Sequence, residues 1–304
     1  MPRAIRYSRL PTEQPNPRSR ALDHLTTLQL LHLMNREDAR VIRAVARQLP
    51  QIDRAIRLIA TALERGGRLF LVGAGTSGRL GVLEAAECPP TFHTEPSVVQ
   101  VLIAGGRRAV FRSQEGAEDD RASARRAVRQ RLRAGDVLVG IAASGVTPFV
   151  VEALQVAAQR GTRTVLLTCH PRVRIAARLR ITLDVGPEVL TGSTRLKAGT
   201  ATKLVLNMLT LGAMVRLGKT YGNLMVDVRP TSRKLKARAR QIIRSFTHGS
   251  ERAAAASLQA ARGRVKVAIL MATQGLIYPV ALRRLAQVNG SLRKALQGRG
   301  TRNV

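Results

Sequence analysis

The acids of this chain are few and unevenly placed. Against 51 Lys and Arg it has only 19 Asp and Glu, yet Glu115, Glu118, Asp119 and Asp120 crowd into QEGAEDD, and Glu84 and Glu87 lie upstream in LEAAECPP. Carboxyl groups gathered in this way suit proton transfer, in which one group takes a proton and another gives one. Hydroxyls cluster too. Thr76 and Ser77 lie in LVGAGTSGRLG, Ser144 and Thr147 in IAASGVTPF, and Ser193 and Thr194 in LTGSTRLKAGTATK, with Lys197 close behind. Hydroxyls beside backbone N–H groups at a helix N-terminus stabilise an anion, because the unpaired donors and the helix dipole both favour negative charge.

The first of these loops has the spacing Gly73-x-Gly75-x-x-Gly78, which also occurs in dinucleotide-binding turns. That reading needs an acid at the end of the second strand to hold a ribose hydroxyl. Here the strand ends Ile103-Ala104-Gly105-Gly106, so a nicotinamide dinucleotide is set aside. Each hydroxyl loop taken alone also suits an ordinary N-cap. Three together, two of them directly after strands, point to a phosphorylated small molecule at the carboxyl ends of an open sheet.

The elements that must position these loops are legible. RLFLVG (68–73), VVQVLIAGG (98–106), DVLVGIAAS (136–144), RTVLLTC (163–169) and RITLDVG (180–186) are short apolar runs rich in Val, Ile and Leu. Helix-length segments separate most of them, which predicts an α/β fold: a five-stranded parallel sheet, doubly wound, with helices on both faces. A Pro- and Arg-rich arm occupies residues 1–20. Helical spacing over 22–64 predicts two or three helices, the last started at Pro50. Residues 197–216 read as a long apolar helix and 230–246 as another. From 247 to 304 a small helical domain is expected, divided by Gly249, Gly263, Gly275 and Gly290. The main domain is then 21–246.

Composition narrows the class. The aromatic fraction is 3% with no Trp, so the core is aliphatic and base-stacking platforms are scarce. The formal charge of +32 comes mostly from arginines spread along the whole chain. That distribution suits an arginine-rich surface with non-specific polyanion binding as a side effect, not specific nucleic-acid recognition. Cys88 and Cys169 are too few for a metal knuckle or a disulfide framework, and no run of eighteen apolar residues suggests a membrane span. The N-terminus lacks the apolar stretch of a signal peptide, so a cytoplasmic protein is expected. The five histidines show no metal-ligand spacing, and His93 is read as a loop residue.

Longer stretches resemble one family. TEQPNPRS, VGAGTSGRLGVLEAAECPPTF, LIAGG, EGAEDD, GIAASGVTP, GPEVLTGSTRLKAGTATKLVLNM and GAMVRLGKTYGNLMVDV, in that order over 12–228, closely resemble the N-acetylmuramic acid 6-phosphate etherases of the sugar-isomerase (SIS) superfamily. The resemblance implies a homodimer with sites near the subunit interface and no metal or redox cofactor. It implies cleavage of the D-lactyl ether to N-acetylglucosamine 6-phosphate and D-lactate. Carried over by motif, Glu87 and Glu118 are the catalytic acids. Gly75, Thr76, Ser77, Ser144, Thr147, Ser193, Thr194 and Lys197 fall where the superfamily holds the sugar phosphate. The chain departs from the pattern at Ala86, where Ser is common, and at Val146, where Arg is common. A sensor of the same fold without turnover is the alternative, although it would not require the two glutamates.

The implied reaction explains why acids are needed. Once the sugar ring opens, the C2 proton is α to a carbonyl; a carboxylate removes it, a carboxylic acid protonates the departing lactate oxygen, and water then adds at C3. Pro89 and Pro90 are expected to end the helix just after Glu87. Asp119 and Asp120 are read as helix-dipole partners at the start of the Arg-rich segment 121–133, and Glu84 and Glu115 as solvated or paired with Arg. An acid catalyst is raised in pKa by burial and lowered by neighbouring Arg, so Glu87 and Glu118 are expected in a partly dehydrated pocket away from arginines.

Overall fold

A computed structural model describes residues 7–297. The first six residues of the arm and the last seven of the chain lie outside the described residues. In chain order the elements are α1 (Thr27–Ala46), α2 (Leu49–Glu64), β1 (Leu69–Gly73), α3 (Gly75–Phe92), β2 (Val99–Ile103), α4 (Arg108–Phe111), α5 (Arg121–Arg131), β3 (Val137–Ile141), α6 (Pro148–Gln159), β4 (Arg163–Thr168), β5 (Leu179–Thr182) and α7 (Lys197–Arg216). Then follow α8 (Arg233–Thr247), α9 (Glu251–Ala260), α10 (Val265–Gln274), α11 (Tyr278–Gln287) and α12 (Leu292–Gln297). By packing, the chain divides into two compact units. The first comprises residues up to Ala86 together with Ser97–Thr210, and the second Glu87–Pro96 together with residues from Leu211 on.

In the first unit the five strands form one parallel sheet in the order β2-β1-β3-β4-β5. Its central strands β1 and β3 are buried at every position, which is why they read as unbroken apolar runs. Alternation along them still sorts the faces. Phe70, Val72 and Leu138 pack with Val128 of α5 and with Phe149, Val150 and Leu154 of α6. On the other face α2 packs against β1, β3 and β5. The strand order reverses at β1/β3, so the loops that follow these two strands flank the crevice where open α/β sheets bind ligands.

Two expectations are corrected here. The prolines do not end α3: the helix runs on through Pro89 and Pro90 to Phe92. Proline's φ is compatible with a helix; only its missing N–H and its ring against the preceding turn oppose one. The last turn closes where His93 N–H donates to Pro89 O at 3.0 Å. Glu87 therefore lies inside α3 and not at its end. Glu84 is neither solvated nor paired with arginine; it is buried, accepts from the Thr210 hydroxyl at 2.7 Å, and lies 4.0 Å from the Lys203 ammonium.

The second unit is helical. Val226, Ile242, Ile243, Leu258, Ile269, Leu285 and Leu292 belong to one apolar core drawn from α8 to α12 and the segment before them. Buried Lys266 is held there by Gly218 O, Gly290 O and the Asp227 carboxylate at 2.7–2.8 Å. His93 lines a cavity of about 370 Å³ with Lys219, Asp227 and Lys266. Burial pushes its imidazole below its usual pKa, and the charge of Arg229 adds to this. Helix α7 is long and apolar enough to cross a membrane, but Val205, Leu206 and Leu209 along it are fully buried, as in a core helix.

Candidate active site

The site begins with the turn from β1 into α3. A Cβ on Gly73 would lie 2.7 Å from Gly78 N, and one on Gly78 would lie 2.8 Å from Gly73 O. The two glycines therefore let strand and helix meet closely, which sets Thr76 and Ser77 in the first turn of α3. Gly75, at φ +53°, opens the helix. After β3, the Ser144 hydroxyl accepts from Val146 N–H at 3.3 Å, and Ser144 O lies 3.0 Å from His170 Nδ1. Thr147 is the N-cap residue of α6, with Pro148 in the first turn, yet its hydroxyl makes no capping bond.

These turns converge. A cavity of about 290 Å³ is lined by Gly75, Thr76, Ser77, Ser144, Thr147 and Thr194. Glu118 and Asp119 face it from the short 3-10 turn Ala117–Asp119. The N-terminal arm contributes Tyr7, Thr12 and Glu13. Among the described residues, the hydroxyls of Thr76, Ser77, Thr147 and Thr194 donate to no protein group, so they are available to an anion. Two helix N-termini, those of α3 and α6, add their dipoles. Among the described residues no lysine or arginine lines this cavity, and Val146 lines it at the position where the family resemblance expects Arg.

Lys197 is placed differently from the sequence expectation. Its side chain is 1% exposed, and its ammonium donates to Glu37 Oε2 at 2.6 Å and to Pro187 O at 2.7 Å. Nor is the N-terminus of α7 open to an anion. The buried Glu188 carboxylate accepts from Lys197 N–H and Ala198 N–H at 3.1 and 2.9 Å. Burial pushes the Glu188 carboxyl above its usual range, and these backbone bonds oppose the shift. Ser193 is half-buried but outside the cavity lining.

Glu118 is exposed at the cavity wall and also lines a neighbouring cavity of about 200 Å³ with Arg79 and Gln114. Glu87 is exposed on α3 and is not among the lining residues. Within this chain neither glutamate is dehydrated, contrary to expectation. Neither forms an ion pair with arginine among the described residues, as expected. Asp120 caps α5 by accepting from Ser123 N–H at 2.8 Å, whereas Asp119 faces the cavity. Glu115 is exposed and accepts from the Ser113 hydroxyl. Among the described residues no three His, Cys, Asp or Glu side chains gather into a metal-binding group. The Cys169 thiol is fully buried, which, with Glu188 nearby, pushes it up to about 12.

Sequence reasoning missed Glu13 and Thr12. They sit in TEQPNPRS, a stretch that resembles the family but to which the resemblance assigns no site residue, and no spacing signal links that arm to the sheet.

Known proteins match most of the chain. The glucokinase regulatory protein N-terminal SIS domain matches residues 51–158, and the SIS domain matches residues 117–212. An N-acetylmuramic acid 6-phosphate etherase of Geobacillus thermodenitrificans is 49% identical, covering 95% of this chain and 99% of the relative. One of Gloeobacter violaceus is 57% identical, covering 86% of this chain and 87% of the relative. Among solved structures, a phosphoheptose isomerase from Francisella tularensis aligns at a TM-score of 0.50 and 15% identity, covering 63% of this chain and all of the other. That likeness concerns the fold.

Proposed function

The chain belongs to the N-acetylmuramic acid 6-phosphate etherases, and we propose that the hydroxyl-lined cavity of its sheet holds the sugar phosphate while Glu118 and Glu87 move the protons of the reaction. It is an enzyme that acts on a phosphorylated amino sugar and cleaves its lactyl ether. The observation that carries the site assignment is the meeting of three hydroxyl-bearing turns with Glu118 in one cavity.

The phosphate is bound by Thr76, Ser77, Ser144, Thr147 and Thr194 and by the N–H groups that open α3 and α6. Holding this remote dianion orients C2 and C3, so that binding energy is spent on positioning. Glu118 takes the C2 proton as the C3–O bond breaks; Glu87 gives a proton to the lactate oxygen. Water then adds across C2 and C3, its hydroxyl to C3 and a proton to C2. The products are N-acetylglucosamine 6-phosphate and D-lactate. Glu118 suits the first role because it stands at the cavity wall and forms no ion pair with arginine among the described residues.

A homodimer belongs to this reading. Leu28, Leu31 and Ile42 lie on one face of α1 and are 64%, 56% and 63% exposed, an apolar stripe that self-association would cover. A second subunit would also supply the dehydration that exposed Glu118 lacks in one chain. A cytoplasmic setting is consistent with the buried free thiol of Cys169. Binding to polyanions through the +32 charge stays non-specific.

The test is D-lactate release from N-acetylmuramic acid 6-phosphate and from the unphosphorylated sugar. Release from the first, with kcat/KM lower by roughly 10³-fold or more for the second, supports the phosphate site. Equal rates would refute it.

A further inference from the structure

The second glutamate of the cavity, Glu13, has no role in the reaction as derived so far. Glu13 ends a 3-10 turn, Pro11–Glu13, in the N-terminal arm. Its Oε1 accepts from the Thr12 hydroxyl at 2.9 Å, and its Oε2 has no donor among the described residues. The opposite loop is shaped around it. Gly192, at φ +78°, comes so close that a Cβ there would lie 3.1 Å from Glu13 Oε2.

The arm's position is built and not incidental. Asn16, three residues on and buried, donates through its amide to Glu37 Oε2 at 3.0 Å and to Pro187 O at 3.1 Å. Arg18 donates to Glu37 Oε1 at 2.9 Å. The same Glu37 carboxylate takes the Lys197 ammonium. One buried network therefore ties the arm to α1, to the Pro187 segment and to α7, and so fixes where Glu13 stands.

Among the described residues no cation lines the cavity, and Glu13 forms no ion pair there. A carboxylate accepts hydrogen bonds and donates none. With Oε2 unpartnered among the described residues and Glu13 lining a cavity that also carries several hydroxyls, its complement is a neutral O–H or N–H. We propose that Glu13 is a specificity-determining residue that accepts a hydrogen bond from a hydroxyl or amide N–H of the sugar moiety. This rests on the etherase reading of the same cavity.

The test uses Glu13→Ala and the near-isosteric Glu13→Gln in the full chain, with three readouts: lactate release, unfolding temperature, and affinity for two ligands. One ligand is N-acetylglucosamine 6-phosphate, which carries the sugar; the other is glycerol 3-phosphate, which carries the phosphate but lacks the ring. A hydrogen bond to a charged group predicts kcat/KM and sugar-phosphate affinity about 10- to 100-fold lower in Glu13→Ala. Glu13→Gln keeps one acceptor oxygen and loses less. Glycerol 3-phosphate affinity stays within about twofold in both variants. Equal weakening of both ligands would show that Glu13 only shapes the 192–194 loop, and kcat/KM within about twofold of the parent in both variants would show no contact; either overturns the proposal. If Glu13→Ala does not fold, Glu13→Gln decides by the same two ligands. Absence of lactate release by the parent would instead count against the etherase reading.

Discussion

The Lys197 ammonium lies 2.6 Å from Glu37 Oε2, with both side chains almost wholly buried and 160 residues apart in the chain. The pair closes a network with Asn16, Arg18 and Pro187 O. Removing one partner leaves an uncompensated buried charge. Lys197→Met is therefore expected to cost about 3–5 kcal/mol of stability, and the double variant Lys197→Met/Glu37→Leu to regain most of it. Urea midpoints of the single and double variants check this.

The same carboxylate makes stability sensitive to acid. Burial pushes Glu37 up, but hydrogen bonds from Lys197, Arg18 and Asn16 outweigh it and lower its pKa from 4.5 to about 2. A depressed acid contributes stability above its unfolded value and loses it as pH falls toward the folded value. The contribution, on the order of 3 kcal/mol, is thus present at pH 6 and lost progressively between about pH 5 and pH 2. Denaturation midpoints measured across that range should fall less steeply in Glu37→Gln than in the parent.

Thr147 separates a binding hydroxyl from a structural one. As an N-cap whose hydroxyl caps nothing, it should not show the loss of roughly 0.5–2 kcal/mol that removing a working cap brings. Thr147→Ala is expected to leave the unfolding temperature within about 2 °C while raising KM for the phosphorylated sugar roughly tenfold. Thermal unfolding and steady-state kinetics on the same preparation test both halves.

Ser193 and Thr194 are adjacent but unequal. Thr194 lines the cavity and Ser193 does not. Thr194→Val should lower kcat/KM by about tenfold, the loss of one hydrogen bond to a charged group, and Ser193→Ala should leave it within about twofold. Equal effects in the two variants would contradict the assigned cavity.

Much of the fold was legible. The runs at 68–73, 98–106, 136–144, 163–169 and 180–186 became β1 to β5, because strands covered on both faces must be apolar at every position. Residues 197–216 formed α7 with the expected bounds. The meeting of Thr76, Ser77, Ser144 and Thr147 in one cavity was legible as well, since turns after β1 and β3 must meet beside the strand-order reversal. Lys197 was not. A lysine just after a hydroxyl-rich turn has the look of a phosphate ligand, and its true partner, Glu37, is remote in sequence and carries no local signal. Glu188 was closer to legible: an acid nine residues before the start of an apolar helix can reach back to its first N–H groups, as this one does. Glu13 was hidden because nothing in TEQPNPRS says that the arm returns to the sheet.

The most direct measurement is D-lactate release from N-acetylmuramic acid 6-phosphate by the parent, Glu118→Gln and Glu87→Gln, with unfolding temperatures taken alongside. The account predicts release by the parent and a fall of roughly 10²-fold or more in each variant, with stability unchanged. Release within a few-fold of the parent by either variant would contradict that glutamate's assigned role.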